Sequence, residues 1–202
     1  MPCLSGSGSP GNKMKRDEAL LLLREFTKSE SLIKHALAVE AAMRAYAARL
    51  GGDPELWGVV GLLHDFDYER WPNPPEHTRK GGEILRARGV DEEITGAVMS
   101  HADWNREEYP LDRPLRKALA AVDELAGFVL AVAYVRPEKL AGMSPSSVRK
   151  KMKQKSFAAA VRREDIERGA ELMGVSLDEH IQMVIGALQG VQSELGLSAP
   201  SQ

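Results

Sequence analysis

Cysteine is nearly missing from this sequence: Cys3 is the only one in 202 residues. No internal disulfide can form, and a zinc cluster built on thiolates is excluded. An excess of one charge is also missing. Twenty-seven basic residues against 29 acidic ones leave a formal charge of -2, which offers no bulk attraction for nucleic acid. Strand signals are scarce, with no sustained apolar/polar alternation and few β-branched clusters. Neither a glycine-rich dinucleotide fingerprint nor a phosphate-binding loop occurs. No Gly-X-Ser-X-Gly elbow marks a serine hydrolase. The opening MetProCysLeuSerGlySerGlySerPro lacks the charged start and apolar stretch of a secretory signal. Residues 1–12 read as a flexible tail or a cloning scar. A long uninterrupted apolar run is lacking too. Ala118 to Val135 comes nearest, but Asp123, Glu124 and Gly127 interrupt it, and mid-span carboxylates are costly in lipid. We read it as a buried core helix and expect a cytoplasmic protein with no membrane partner.

What is present is helical periodicity with clear punctuation. A first helix is predicted over about Lys15 to Glu25. A second runs from near Ser29 to Gly51-Gly52, with Leu32, His35, Ala36, Val39 and Met43 on its inward face. Asp53-Pro54 supplies an N-cap and a proline at the first helical position of a third helix. That helix carries Leu56, Val59, Val60 and Leu63 and ends near His64-Asp65. Three prolines make Phe66 to Glu76 a loop. Further helices are predicted over about His77 to Arg88, Asp91 to His101, and Pro114 to Val135. A helical extension follows. Ser144-Pro145 caps one helix, a second spans roughly Glu164 to Met173, and a third starts at the capping box Ser176–Glu179 and reaches about Leu195. We expect an all-α domain over 13–136 with a C-terminal helical extension over 137–202 packed on it. Ile181, Val184, Ile185 and Leu188 on the last helix face either that domain or a second copy.

Scarce residues carry the chemistry. Four of the five histidines form an ordered set with two aspartates: His35, His64-Asp65, His77, His101 and Asp123. Histidine and aspartate are common ligands of transition metals. Asp123 shares a helical face with Leu119, Ala126 and Leu130, so its carboxylate points inward and needs a cationic partner. His35 sits amid Leu32, Ile33, Leu37 and Val39. Adjacent residues on a regular helix point about 100° apart, so His64 and Asp65 can face one site only from a helix end. A lone histidine on an apolar face is usually a hydrogen-bonded core residue; four such histidines beside two aspartates weaken that reading.

These residues resemble the HD-domain superfamily of metal-dependent hydrolases, whose pattern is a histidine, a His-Asp pair and a distal aspartate on helices. His35, His64, Asp65 and Asp123 match in order. Many members insert two more histidines that complete a second metal position, and His77 and His101 fall where those stand. The resemblance covers about Ser31 to Val135. The stretch SerValArgLysLysMetLysGlnLysSerPheAla is also similar to that of a subgroup of predicted hydrolases. The resemblance implies an HD-type helical bundle holding one or two divalent transition metal ions (Mn, Fe, Co, Ni or Zn), with Asp65 bridging the two. Tyr68 departs from the pattern: some HD nucleotidases carry a catalytic glutamate at that position.

The implied reaction is hydrolysis of a phosphate ester of a small metabolite or nucleotide by metal-activated water. Besides Asp65, Asp67 is the candidate to orient or deprotonate water, against a plain capping role for a loop aspartate. Arg79 and Lys80 are the candidate phosphate contacts, against a solvated first turn. The basic run Arg149 to Lys155, with Arg162-Arg163, is a candidate cover for an anionic substrate. Loops carrying Trp71, Trp104 and Tyr109 are candidate pocket walls. Two alternatives stand beside the phosphohydrolase. One is a di-iron HD-type oxygenase using the same six residues. The other is a non-catalytic, metal-braced ligand-binding module.

Overall fold

The computed structural model describes residues 13–198, so Cys3 and the tail expected over 1–12 lie outside the described residues. Among the described residues nine α-helices follow one another: α1 (Arg16–Phe26), α2 (Glu30–Leu50), α3 (Pro54–Leu63), α4 (Glu76–Ala87), α5 (Glu92–Ser100), α6 (Pro114–Tyr134), α7 (Pro145–Met152), α8 (Arg163–Leu172) and α9 (Leu177–Gly190). One turn of 3-10 helix over Asp103–Asn105 sits between α5 and α6. No β-strand occurs among the described residues, and the fold is all-α. None of the described helices is long and apolar enough to cross a membrane.

The apolar run of α6 is the centre of the molecule. Leu119, Val122, Leu125, Phe128, Val129 and Val132 are all buried there, as expected for a helix surrounded by others. α2 and α3 cross closely because of Gly61. A β-carbon at that position would lie 2.8 Å from the Glu40 Cα, so any larger residue would force the helices apart. This crossing brings the end of α3 beside the middle of α2. α7, α8 and α9 share the same core: Val148, Ile166, Ile181, Val184, Ile185 and Leu188 belong to one buried cluster with the α2 and α6 side chains.

Local signals place most ends. Asp53 accepts hydrogen bonds from the backbone N–H groups of Glu55 and Leu56, and Ser176 and Glu179 form a capping box. Three details differ from the sequence reading. Ser144 occupies an N-cap position, yet its hydroxyl meets the hydroxyls of Ser146 and Ser147 rather than a backbone N–H. α9 stops at Gly190 instead of continuing to Leu195. Glycine is a poor helix former, and ending there lets Leu195 and Leu197 turn into the core. α4 is broken near its start. His77 has ψ 136 and Thr78 has φ 62, both outside helical geometry, and this break turns the His77 ring inward.

Candidate metal centre

Five helices, α2 to α6, and the turn that follows α3 converge on one point. His35 projects from α2, with Nε2 3.2 Å from His64 Nε2 and 2.9 Å from Asp123 Oδ1. His64 caps the C-terminus of α3 and is fully buried. Its Nδ1–H donates to the Gly61 carbonyl at 2.8 Å. That bond fixes the tautomer and aims the Nε2 lone pair at the centre. Nε2 lies 3.3 Å from Asp123 Oδ1 and 3.5 Å from Asp65 Oδ2. Asp65 leaves the helix in the turn beyond His64, which is how two neighbouring residues reach one point. Its Oδ1 lies 3.2 Å from His77 Nε2 and 3.1 Å from His101 Nε2. His101 Nδ1 lies 3.6 Å from Asp123 Oδ2. Two sets of donors, His35/His64/Asp123 and His64/Asp65/His101, each fall within 4.8 Å of one another.

The broken start of α4 is held from outside. Thr78 is a β-branched residue at positive φ, a conformation that costs on the order of 1–3 kcal/mol and persists only where neighbours impose it. Asn105 imposes it. Its Nδ2 donates to Thr78 Oγ1 at 2.7 Å and to the Met99 carbonyl at 3.1 Å, tying the α4 break to the end of α5. His77 and His101 are thus fixed relative to each other by one buried amide.

Charges in the cluster are strongly coupled. Burial alone disfavours a charged His64, but the Asp65 and Asp123 carboxylates reverse this and hold its pKa well above the ordinary value. For His77 the burial penalty is likewise outweighed, by hydrogen bonds to Asp65 and Asp67, and its pKa is pushed up to about 9. Burial opposes ionisation of Asp65 and Asp123, yet the imidazoles around them hold both below the usual carboxylate range. The cluster favours positive charge at its centre, carried by protons or by a cation.

The other predicted residues separate clearly. Asp67 is fully buried, and both of its oxygens are committed. Oδ1 accepts the His77 Nδ1–H at 3.0 Å and Oδ2 accepts the Gly81 N–H at 2.8 Å. This corrects the reading of Asp67 as a water-facing base: it orients His77. Lys80 pairs with Glu83 at 2.9 Å, and neither Lys80 nor Arg79 borders the cavities beside the histidines. Arg149 pairs with Asp178, and Arg163 packs over Phe128 while bonding local carbonyls. Trp71 packs on Phe26, and the Tyr109 hydroxyl accepts from Arg86. Of the three predicted wall aromatics, only Trp104 reaches the centre.

Two cavities open on the cluster. The larger, about 510 Å³, is bordered by Tyr68, Pro72, Pro74, Trp104 and Val161 above the metal-type donors. The smaller, about 190 Å³, is bordered by His77, His101 and Asp123 and also by Arg106, Arg162 and Arg168. Glu124 borders both; burial, followed by the neighbouring Asp123 charge, raises its pKa. Tyr68, read from the sequence only as a departure from the HD pattern, borders the larger cavity. Arg106, Glu124 and Arg168 escaped the sequence reading as site residues: none stands in a motif, and the packing of α8 on α6 brings Glu124 and Arg168 to one cavity.

The family model of the HD domain matches residues 32–133, half of the chain. The crystal structure of the L. monocytogenes phosphodiesterase PgpH HD domain is similar to this chain, with a TM-score of 0.46 and 14% sequence identity. That match covers 86% of this chain and 98% of the other.

Proposed function

The chain belongs to the HD-domain family, and from that premise we propose that it is a metal-dependent phosphohydrolase cleaving a phosphate ester of a small metabolite. The observation that carries the reading is the convergence of His35, His64, Asp65, His77, His101 and Asp123 around Asp65. Oδ1 of Asp65 is buried without a hydrogen-bond partner, although two imidazole Nε2 atoms lie within 3.2 Å of it. An unpartnered buried carboxylate oxygen is costly, and a bound cation would supply the partner it lacks. The donor set therefore fits the group. His35, His64, Asp65 and Asp123 would hold one divalent ion. Asp65, His77 and His101 would hold a second.

Bound divalent cations supply Lewis acidity, making water a stronger acid and polarising a phosphoryl oxygen. The chain's own residues prepare the site for that chemistry. The Gly61 carbonyl and Asp67 each take the outer N–H of one imidazole, leaving Nε2 of His64 and His77 as inward donors. Fully buried Phe66 and Leu63 flank the His-Asp pair in sequence and keep its base dry. Tyr68 and Trp104 pack edge-on against His77, with ring centroids 5.2 and 6.0 Å away, and limit its motion.

The test is metal identity and stoichiometry on protein purified without oxygen or chelator, followed by phosphate release from a panel of phosphomonoesters. We expect one to two equivalents of metal, and phosphate release abolished by chelation and restored by a divalent ion. Two irons per chain with oxygen uptake and no phosphate release would replace this reading with the oxygenase. Bound metal with neither phosphate release nor oxygen uptake would leave the non-catalytic, metal-braced module, and no metal uptake on titration would overturn the metal site itself.

A second expectation concerns the α4 break. Asn105→Ala removes the tether of Thr78, a bond worth about 1 kcal/mol net, and frees the backbone beside His77 to relax. Elemental analysis should then find one of two metals lost. Adding Thr78→Gly, which adopts positive φ without strain, should recover part of the lost occupancy. Full occupancy in Asn105→Ala would show that the tether does not position His77.

A further inference from the structure

The smaller cavity is completed by residues outside the family-matched stretch. His77, His101, Arg106 and Asp123 lie within residues 32–133, whereas Arg162 and Arg168 come from α8 and its N-cap. α8 reaches the centre because of Gly169. A β-carbon there would fall 2.7 Å from the Ala121 carbonyl oxygen and 3.0 Å from its Cα, so only glycine lets α8 lie this close to α6. Ala121 is two residues from Asp123, which sets the guanidinium groups of α8 beside the metal-type donors.

Hydrogen-bond capacity remains on these arginines. Arg106 Nη1 meets Asp103 at 2.7 Å, Arg162 Nε meets Asp165 at 3.0 Å, and Arg168 Nη1 meets the same Asp165 at 3.5 Å. Two aspartates thus orient three guanidinium groups, each of which has five N–H donors. Of the two other wall carboxylates, Asp123 belongs to the histidine cluster and Glu124 accepts the Arg162 backbone N–H at 3.3 Å. Arg106 Nε is buried and has no partner at all. A contrast comes from the larger cleft, which no lysine or arginine borders among the described residues. An anion beside the centre is therefore received on the α8 side.

We propose that the substrate carries a second anionic group besides the scissile phosphate, and that Arg106, Arg162 and Arg168 bind it. The chemical class is a phosphomonoester bearing a carboxylate or a second phosphate. This rests on the phosphohydrolase reading, with the phosphate on the histidine cluster and the remainder of the ester in the smaller cavity. Planar guanidinium forks match the oxygens of either group. Selection among phosphate esters then lies with the C-terminal helices, and the HD helices hold the metal.

The test uses binding rather than turnover. Metal-loaded full-length protein is titrated calorimetrically with 3-phosphonopropionate and with propylphosphonate, two non-hydrolysable probes that differ by the carboxylate. The carboxylated probe should bind the wild type at least ~10-fold tighter, the increment of one charge-assisted hydrogen bond or more. The Arg162→Gln/Arg168→Gln variant should bring the two affinities together while leaving its metal content and its affinity for propylphosphonate unchanged. Equal affinities in the wild type, or a preference that survives the double substitution, would overturn the subsite. A preference that behaves as expected in a protein that releases phosphate from no ester would keep the anion subsite and overturn the hydrolase reading instead.

Discussion

Asp65→Ala protein should keep its helical fold and bind no stoichiometric metal at either position. Asp65 reaches three of the imidazoles with its two oxygens: Oδ2 lies 3.5 Å from His64 Nε2, and Oδ1 lies within 3.2 Å of both His77 and His101. Removing it deprives both proposed ion positions of their shared carboxylate and leaves imidazoles around a less negative centre. Loss of an outer partner such as Asp67 typically weakens metal binding by ~10–100-fold; loss of a shared donor should exceed that, and phosphate release should fall with occupancy. Far-ultraviolet circular dichroism with elemental analysis checks both halves of the expectation. Stoichiometric metal in a folded Asp65→Ala protein would sink the assignment of Asp65 as the bridge.

The second large effect is on stability, and it comes from the one histidine outside the metal set. His180 is fully buried on α9. Its Nε2–H donates to the Ala121 carbonyl at 3.0 Å, which leaves Nδ1 to accept the Tyr46 hydroxyl at 2.6 Å. A neutral imidazole satisfies both partners. Burial pushes the His180 pKa down to about 4 from 6.5, against a small opposing contribution from the Ala121 carbonyl. Tyr46 stays protonated, because burial pushes its own pKa up to about 12. The unfolded chain takes up a proton at His180 as pH falls below 6.5, and the folded chain resists until about 4. Stability is therefore fully present above 6.5 and is lost progressively between 6.5 and 4. At ~1.4 kcal/mol per pKa unit the total is roughly 3 kcal/mol. Chemical denaturation of wild type and His180→Asn across that range isolates the effect, since contributions from the metal cluster cancel in the difference. The stability gap between the two proteins should shrink as pH drops; a gap independent of pH would show that His180 does not stay neutral in the fold.

How legible the site was depends on the residue. His35, His64 and Asp123 were readable because polar groups on apolar helix faces must be satisfied inside, and few residues do that beside one another. Asp67 was legible as an aspartate near the site but not by role, because only the α4 break shows that both its oxygens are taken. Arg79 and Lys80 looked close to His77 along the chain. The backbone reversal at Thr78, held by Asn105 27 residues further on, turns their helix away from the cavity. Trp71 and Tyr109 failed as wall residues for a similar reason: each has a nearer partner, Phe26 or Arg86, that sequence spacing does not disclose.

By itself the sequence determined the all-α class, the order of the helices and the inventory of metal-type donors. These follow from local causes: apolar periodicity, proline and glycine punctuation, caps, and the chemistry of histidine and aspartate. Only the tertiary structure decided which donors meet, which carboxylate stands between them, and which cations border the cavity. Those outcomes hang on two close helix crossings, at Gly61 and Gly169, and on one imposed break in α4. Each is set by packing between residues far apart in the chain, where no local pattern carries the information.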